Sequence, residues 1–372
     1  MKNITYIFSQ NRKKNHNNDE YAKDFYYGLH NFEKKDFNIE VIEYESTVSI
    51  FQPLFKFFDK FMNKFLSLPF STAKLTNLKN FKKVLNTDYL FLVNEGVGFS
   101  SLFLIIFARP LKKINISVFV MGLYSKNLKL KSLNFLHFFF IKILVMYSNN
   151  IFFLGKSEFE QAKNIHSKYS NKFIFLPFCI DTEFWVNDKK KNIAKNENII
   201  FVGNDGSRDF EIIKKLAFRL SDINFTIVSS NEILKDINLP NVKIYNGFWG
   251  SGNISDLEMK NLYLKAKLSI IPLKETYQPS GQSVALQSMA LGIPVMITKT
   301  KGFWHKDLFF NDENIIFVES FDLEIWINKI KEYFYDESKA LQISNSGKST
   351  VLANYKLEHL YESLNKIISD VY

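Results

Sequence analysis

Short apolar runs alternate with longer amphipathic ones along this chain, and the alternation is laid down twice. Such a pattern belongs to parallel α/β sheets, where each strand must return through a crossover helix. ITYIFS (4–9), FNIEVIEY (37–44), DYLFLV (88–93), INISVFV (114–120), NIFFLG (150–155) and KFIFLP (172–177) predict strands. EYAKDFYYGLHNFEKK (20–35), FSSLFLIIFA (99–108) and SEFEQAKNIHSKY (157–169) predict helices between them, the last with Ser157 as N-cap and Glu160 completing a capping box. The polar stretch NDKKKNIAKNEN (187–198) has no apolar period and predicts a linker. Alternation then restarts with NIIFVG (198–203), a helix from Asp209, INFTIVSS (223–230), NVKIYN (241–246), a helix from Ser255, LSIIPL (268–273), a further helix and PVMIT (294–298). A chain of 372 residues accommodates two doubly wound, Rossmann-like domains. We expect them at 1–180 and 198–350, around a linker at 181–197, with 351–372 a helix packing back on the first domain. A pair of this kind leaves a cleft between its members.

SGQSVALQSMALGIPV (280–295) places a small, polar, glycine-centred tetrapeptide in front of a short apolar helix. Ser280, Gly281, Gln282 and Ser283 there offer backbone N–H groups at a helix start, which is a seat for an anion and most often a phosphate. An N-cap without a ligand has the same local pattern.

The charge is unevenly placed. Residues 51–150 hold 14 Lys/Arg and 3 Asp/Glu, a local net of +11, against +10 for the whole chain. A localised basic region points to an anionic partner rather than to general solubility. No nucleic-acid-binding motif accompanies it, which argues against a nucleic-acid partner. The lone cysteine, Cys179, can form no internal disulfide and is flanked by Phe178 and Ile180, as a buried apolar cysteine would be. The first apolar run is too short for a signal-peptide core, and neither SSLFLIIFA (100–108) nor NFLHFFFIKILVMY (134–147) reaches a membrane span. The histidines, at 16, 30, 137, 166, 305 and 359, show no ligand spacing, and we expect no metal and no bound cofactor.

Four ordered stretches resemble glycosyltransferase family 4. LPFCIDTEFW (176–185) is similar to that family's interdomain segment, with Cys179 where the family has glycine. NIIFVGNDGSRDF (198–210) resembles the strand and phosphate-contacting loop that open its nucleotide-sugar domain, and 242–273 the strand, loop and helix that precede the donor site. SGQSVALQSMALGIPV resembles the family's Glu-Ala-Met-Ala-x-Gly-x-Pro-Val stretch. The resemblance covers about residues 148–366. It implies a GT-B fold and hexosyl transfer from a nucleotide-sugar donor on the second domain to an acceptor on the first, with retention of configuration, in cell-envelope polysaccharide or glycolipid synthesis. An epimerase or phosphorylase on the same fold, or a non-catalytic sugar-nucleotide binder, remains open beside it.

The resemblance and the strand-end positions together assign roles. Arg208, between NIIFVG and the helix from Asp209, would hold the diphosphate, with Gly203 and Asn204 in the same loop. Lys274 would make a second phosphate contact and Glu275 would accept from sugar hydroxyls. The family's acidic pair is broken, because Gln287 stands at its second position and Pro279 eight residues earlier. Gln287 can still hydrogen-bond ribose through its amide. Glu95 in NEGVG (94–98) would be the acceptor-side base or a polar contact to the transferred sugar, and the tripeptide at 122–124 would line the acceptor side. The chain has no Asp-x-Asp, so the diphosphate is expected to be neutralised without metal.

In FQPLFKFFDKFMNKFLSLPF (51–70), Leu54, Phe58, Phe61, Phe65 and Leu68 recur at helical spacing, with Lys56, Lys60 and Lys64 on a separate stripe. With KLKSLNFLHFFFIK (129–142) this suits an anionic membrane surface, and hence a cytoplasmic enzyme held peripherally on the inner face of the membrane.

Overall fold

A computed structural model describes residues 2–10, 12–35, 37–45, 51–125, 131–186, 198–247 and 253–369. The predicted linker lies almost wholly outside the described residues. The chain divides into two compact units, one of Met1–Asn17, Tyr26–Pro177 and Tyr361–Tyr372, the other of Asn18–Phe25 and Phe178–Leu360.

In the first unit, β1 (Lys2–Phe8), β2 (Phe37–Glu43), β3 (Tyr89–Leu92), β4 (Asn115–Val120), β5 (Asn150–Phe153) and β6 (Phe173–Phe175) form one parallel sheet in the order β2-β1-β3-β4-β5-β6. In the second, β7 (Asn198–Val202), β8 (Asn224–Val228), β9 (Val242–Tyr245), β10 (Ala266–Ile271), β11 (Val295–Thr298) and β12 (Ile316–Val318) form another in the order β12-β11-β10-β7-β8-β9. Every residue of β3, β10 and β11 is buried, as a sheet covered by helices on both faces requires. The strand order reverses between β1 and β3 in one sheet and between β7 and β10 in the other. Crevices at such reversals, beyond the carboxyl ends of the strands, are where open α/β sheets bind ligands.

Several helices differ from the sequence reading, each for a local reason. Residues 20–35 form a 3-10 turn at Asp24–Tyr26 and a short helix at Leu29–Glu33, separated by Gly28 at φ 77°. The backbone N–H groups of Ala22 and Lys23 donate to the Asp256 and Asp181 carboxylates rather than to a helix ladder. The segment 99–108 is split between helices Glu95–Ser100 and Leu102–Ala108. Helix Lys156–Ile165 starts at Gly155 without a side-chain cap, so Ser157 lies inside it; the capping box is found at Ser255 and Glu258 instead.

Helix Gln52–Phe65 is anchored inward by a charged residue and leaves most of its apolar stripe exposed. Asp59 turns inward and accepts from Thr72 N at 2.9 Å and Ala73 N at 3.0 Å, which rotates Met62 into the core beside it. Phe51, Leu54, Phe57, Phe61 and Phe65 are left exposed. In the final helix, Leu357–Ser369, the Ile368 carbonyl accepts from Tyr89 Oη at 2.9 Å, and Tyr361 packs edge-on against Phe32.

Candidate functional site

The clearest candidate lies in the second unit, where β7 and β10 end beside each other. The loop after β7 carries Arg208, whose backbone forms an antiparallel bridge to Leu273, just past β10. The next residue, Asp209, caps helix Phe210–Arg219 by accepting from Ile212 N at 3.2 Å. This bridge draws the arginine inward, to 3 % exposure. Its guanidinium approaches Asp205 at 3.5 Å, but Nε and Nη1 have no hydrogen-bond partner. Burial disfavours the charged form and pulls its pKa down, only partly offset by Asp205.

Two glycines make room for this side chain. A Cβ on Gly203 would sit 2.2 Å from Arg208 Nε, and one on Gly281 would sit 3.1 Å from Nη1. Gly281, at φ 82°, is also the N-cap of helix Gln282–Ala290, so the guanidinium stands beside a helix start. Arg208 contributes a full positive charge there, and the helix N-terminus a partial one. A buried charge with unmet donors is costly until an anion completes it. The cavity in front has a volume of about 340 Å³ and is lined by Trp185, Gly203, Asn204, Arg208, Ser283 and Gln287 among others. That is within the range of small-molecule sites.

The other sequence candidates fall into distinct places. Gln282 and Ser283 open the helix, Gln282 buried and Ser283 on the cavity wall. Ser280 is buried with an unpartnered Oγ. Asn204 lines the cavity, but its amide is committed to Gly247 O at 2.8 Å and to Ser230 N at 2.6 Å, which makes it a brace between loops. Lys274 and Glu275 are exposed and are not on the cavity wall. Glu275 accepts from Thr276 N and Lys301 N, closing its own loop. Cys179 is buried, and burial pushes its thiol up to about 12.

Sequence reasoning missed Asp24 and Trp185. Asp24 is fully buried in the second unit and accepts from Asp181 N at 2.6 Å, Trp185 Nε1 at 2.9 Å and Gln287 Nε2 at 2.8 Å. Burial raises its pKa to about 7 in spite of these donors, and Asp256 and Asp181 nearby push in the same direction.

In the first unit, Glu95 begins helix Glu95–Ser100 and accepts from Met121 N at 3.3 Å. A second acid, Glu158, accepts from Gly122 N at 2.8 Å and Tyr124 N at 3.2 Å, so the tripeptide at 122–124 is tied to it. Burial raises Glu158 to about 7, with Glu95 adding to the shift. Glu158 was hidden inside the segment misread as a capping box. Among the described residues one group has metal-ligand character: His16, His30 and Glu33, with ligand atoms within 4.8 Å of one another. His16 Nε2 and His30 Nδ1 approach the Glu33 carboxylate at 2.8 and 3.2 Å, and Arg12 stacks on the adjoining Tyr26.

Solved structures share this architecture over the whole chain. HepE of Anabaena, crystallised with UDP, aligns with a TM-score of 0.65 at 11 % identity, covering 100 % of both chains. Sucrose-phosphate synthase of Thermosynechococcus elongatus aligns at 0.71 and 12 % identity, covering 100 % of this chain and 99 % of its own. The chain has a GT-B fold. The α,α-trehalose-phosphate synthase of Burkholderia vietnamiensis is a further GT-B likeness, at 0.64 and 8 % identity over 100 % of both chains. No family model and no curated protein matches this GT-B chain.

Proposed function

We propose that this chain is a glycosyltransferase of the family 4 type, moving a hexosyl group from a nucleoside diphosphate donor to a glycan or lipid-linked acceptor of the cell envelope. The observation that carries the donor half is the buried Arg208, with two unmet N–H donors beside a helix start, on the wall of a ligand-sized cavity. As the bond to the sugar breaks, negative charge grows on the diphosphate, where preorganised donors stabilise it. Arg208 and the 280–283 segment supply them without a metal. The likeness to a protein crystallised with UDP and with UDP-glucose favours uridine donors, and retention of configuration follows from the family resemblance alone. Glu95, with Glu158 behind it, is the acceptor-side candidate.

The acceptor half rests on an exposed aromatic face in the first unit. Phe51, Phe57, Phe107 and Phe135 are 64 %, 71 %, 64 % and 76 % exposed, on or at the start of helices Gln52–Phe65, Leu102–Ala108 and Asn134–Tyr147. Ring contacts of Phe55 with Phe103 and of Phe58 with Phe140 join the three helices into one surface. Lys56, Lys60 and Lys64 stand exposed beside it. No helix among the described residues is long and apolar enough to cross a membrane. This face fits peripheral docking on the anionic inner leaflet of the cytoplasmic membrane, with each lysine near the surface contributing about 1 kcal/mol.

Labelled UDP-sugars incubated with the protein on anionic vesicles carrying a lipid acceptor should give labelled lipid and free UDP in the sedimented fraction. Sedimentation should rise with anionic lipid content, fall with salt and drop in Phe57→Ser/Phe61→Ser. Equal, negligible binding to neutral and anionic vesicles would leave a soluble acceptor as the better reading, and donor converted without transfer would favour an epimerase.

A further inference from the structure

We propose that Asp24 is a positioning residue for donor recognition, holding the Gln287 amide by its NH₂ so that the amide oxygen accepts from a ribose hydroxyl of the bound nucleotide. This rests on the donor reading above and goes beyond it, because Asp24 belongs to no motif and does not itself line the cavity.

Three groups converge on the Asp24 carboxylate and all donate: the Asp181 N–H to Oδ1, and the Trp185 indole and the Gln287 amide both to Oδ2. In its ionised form Asp24 only accepts, so the amide presents its NH₂ to it, as the Gln287 Nε2 contact shows, and keeps its oxygen for something else. Gln287 lies on the cavity wall together with Ser283, one helical turn earlier on the same face. It stands five residues into the helix from Gln282, or about 7.5 Å along the axis at about 1.5 Å per residue. A nucleotide whose phosphates sit at Arg208 and the helix start has its ribose at that remove.

The arrangement also accounts for an amide where a carboxylate would be the stronger acceptor. Asp181 and Asp256 already bear on Asp24, and the charged groups acting on this carboxylate are acidic. A glutamate at 287 would add another negative charge to a buried acidic group, which costs stability or forces a proton onto the pair. Glutamine tied to Asp24 offers an acceptor oxygen without that charge.

The test is calorimetric titration of UDP, 2′-deoxy-UDP and 3′-deoxy-UDP into the full chain. Wild-type protein should prefer UDP over at least one deoxy analogue by about five- to tenfold, the scale of one hydrogen bond. In Asp24→Ala that preference should fall to within about twofold while the deoxy analogue binds as before. Gln287→Leu should do the same, and the double variant should go no further than either single one, as expected of two residues acting through one contact. If Asp24→Ala fails to fold, Gln287→Leu alone decides: an intact preference overturns the inference. Equal weakening of UDP and its deoxy analogues in Asp24→Ala also overturns it, because loss of structure alone would do that. Wild-type protein that binds none of UDP, GDP, ADP and dTDP would overturn the donor reading and this inference with it, whereas nucleotide binding with a ribose-hydroxyl preference that Asp24→Ala and Gln287→Leu leave unmoved overturns this inference only.

Discussion

Arg208→Met should leave the ligand-free protein as stable as wild type or more so, while nucleoside diphosphate affinity falls by about 10- to 100-fold. The two effects have opposite signs because the arginine is placed for a ligand rather than for the fold. Its Nε and Nη1 are buried without partners, and its ionic neighbour Asp205 stands 3.5 Å away. Replacing a poorly compensated buried charge by an apolar chain of similar length is often neutral or stabilising, by up to roughly 4 kcal/mol. A charge-assisted hydrogen bond to phosphate contributes about 1.5–3 kcal/mol, which sets the affinity loss. Thermal melts with and without UDP measure both. A less stable variant with affinity within twofold of wild type would make Arg208 a structural residue and remove it from the site.

The second large effect is on stability. Gly281→Val should destabilise the protein by about 2–4 kcal/mol, the sum of a strained backbone and an overpacked core. Gly281 is buried at φ 82°, and a Cβ there would come within 2.8 Å of Ile271 Cγ2 before reaching Arg208 Nη1 at 3.1 Å. Denaturant unfolding checks it, and a midpoint unchanged from wild type would show that the helix start can move to admit a side chain. A binding defect in this variant therefore cannot by itself locate the phosphates.

What the sequence made legible follows from which signals are local. Eleven strands came within a residue or two of their bounds, because a buried parallel strand is a short apolar run bounded by polar turns, and the run is visible in one dimension; the three-residue β12 was not read. Arg208, Ser283 and Gln287 were legible for the same reason: each sits at a fixed offset from a strand end or helix start. Lys274 and Glu275 occupy equally suitable positions, yet both are exposed. Residue spacing says where a strand ends but not which way the chain turns afterwards. Asp24 was illegible because its partner is 263 residues away, and the segment that carries it leaves the first unit to join the second. No periodicity couples positions so far apart. On helix Gln52–Phe65 the apolar stripe was legible, and Leu54, Phe61 and Phe65 stand exposed on it; the inward anchor was not legible, because it is the charged Asp59, held by two backbone donors, and not a hydrophobe.

The central claim is that the cavity beside Arg208 seats a nucleoside diphosphate, and thermal shift of the wild-type chain with UDP, GDP, ADP and dTDP, each beside its nucleoside, tests it most directly. A ligand that binds only the folded state raises the melting temperature, by an amount equivalent to about 2.7 kcal/mol at a hundredfold excess over its dissociation constant. At least one diphosphate should raise the melting temperature, its nucleoside should raise it far less, and Arg208→Met should abolish the difference. No rise with any diphosphate, or an equal rise with nucleoside and diphosphate, would contradict it.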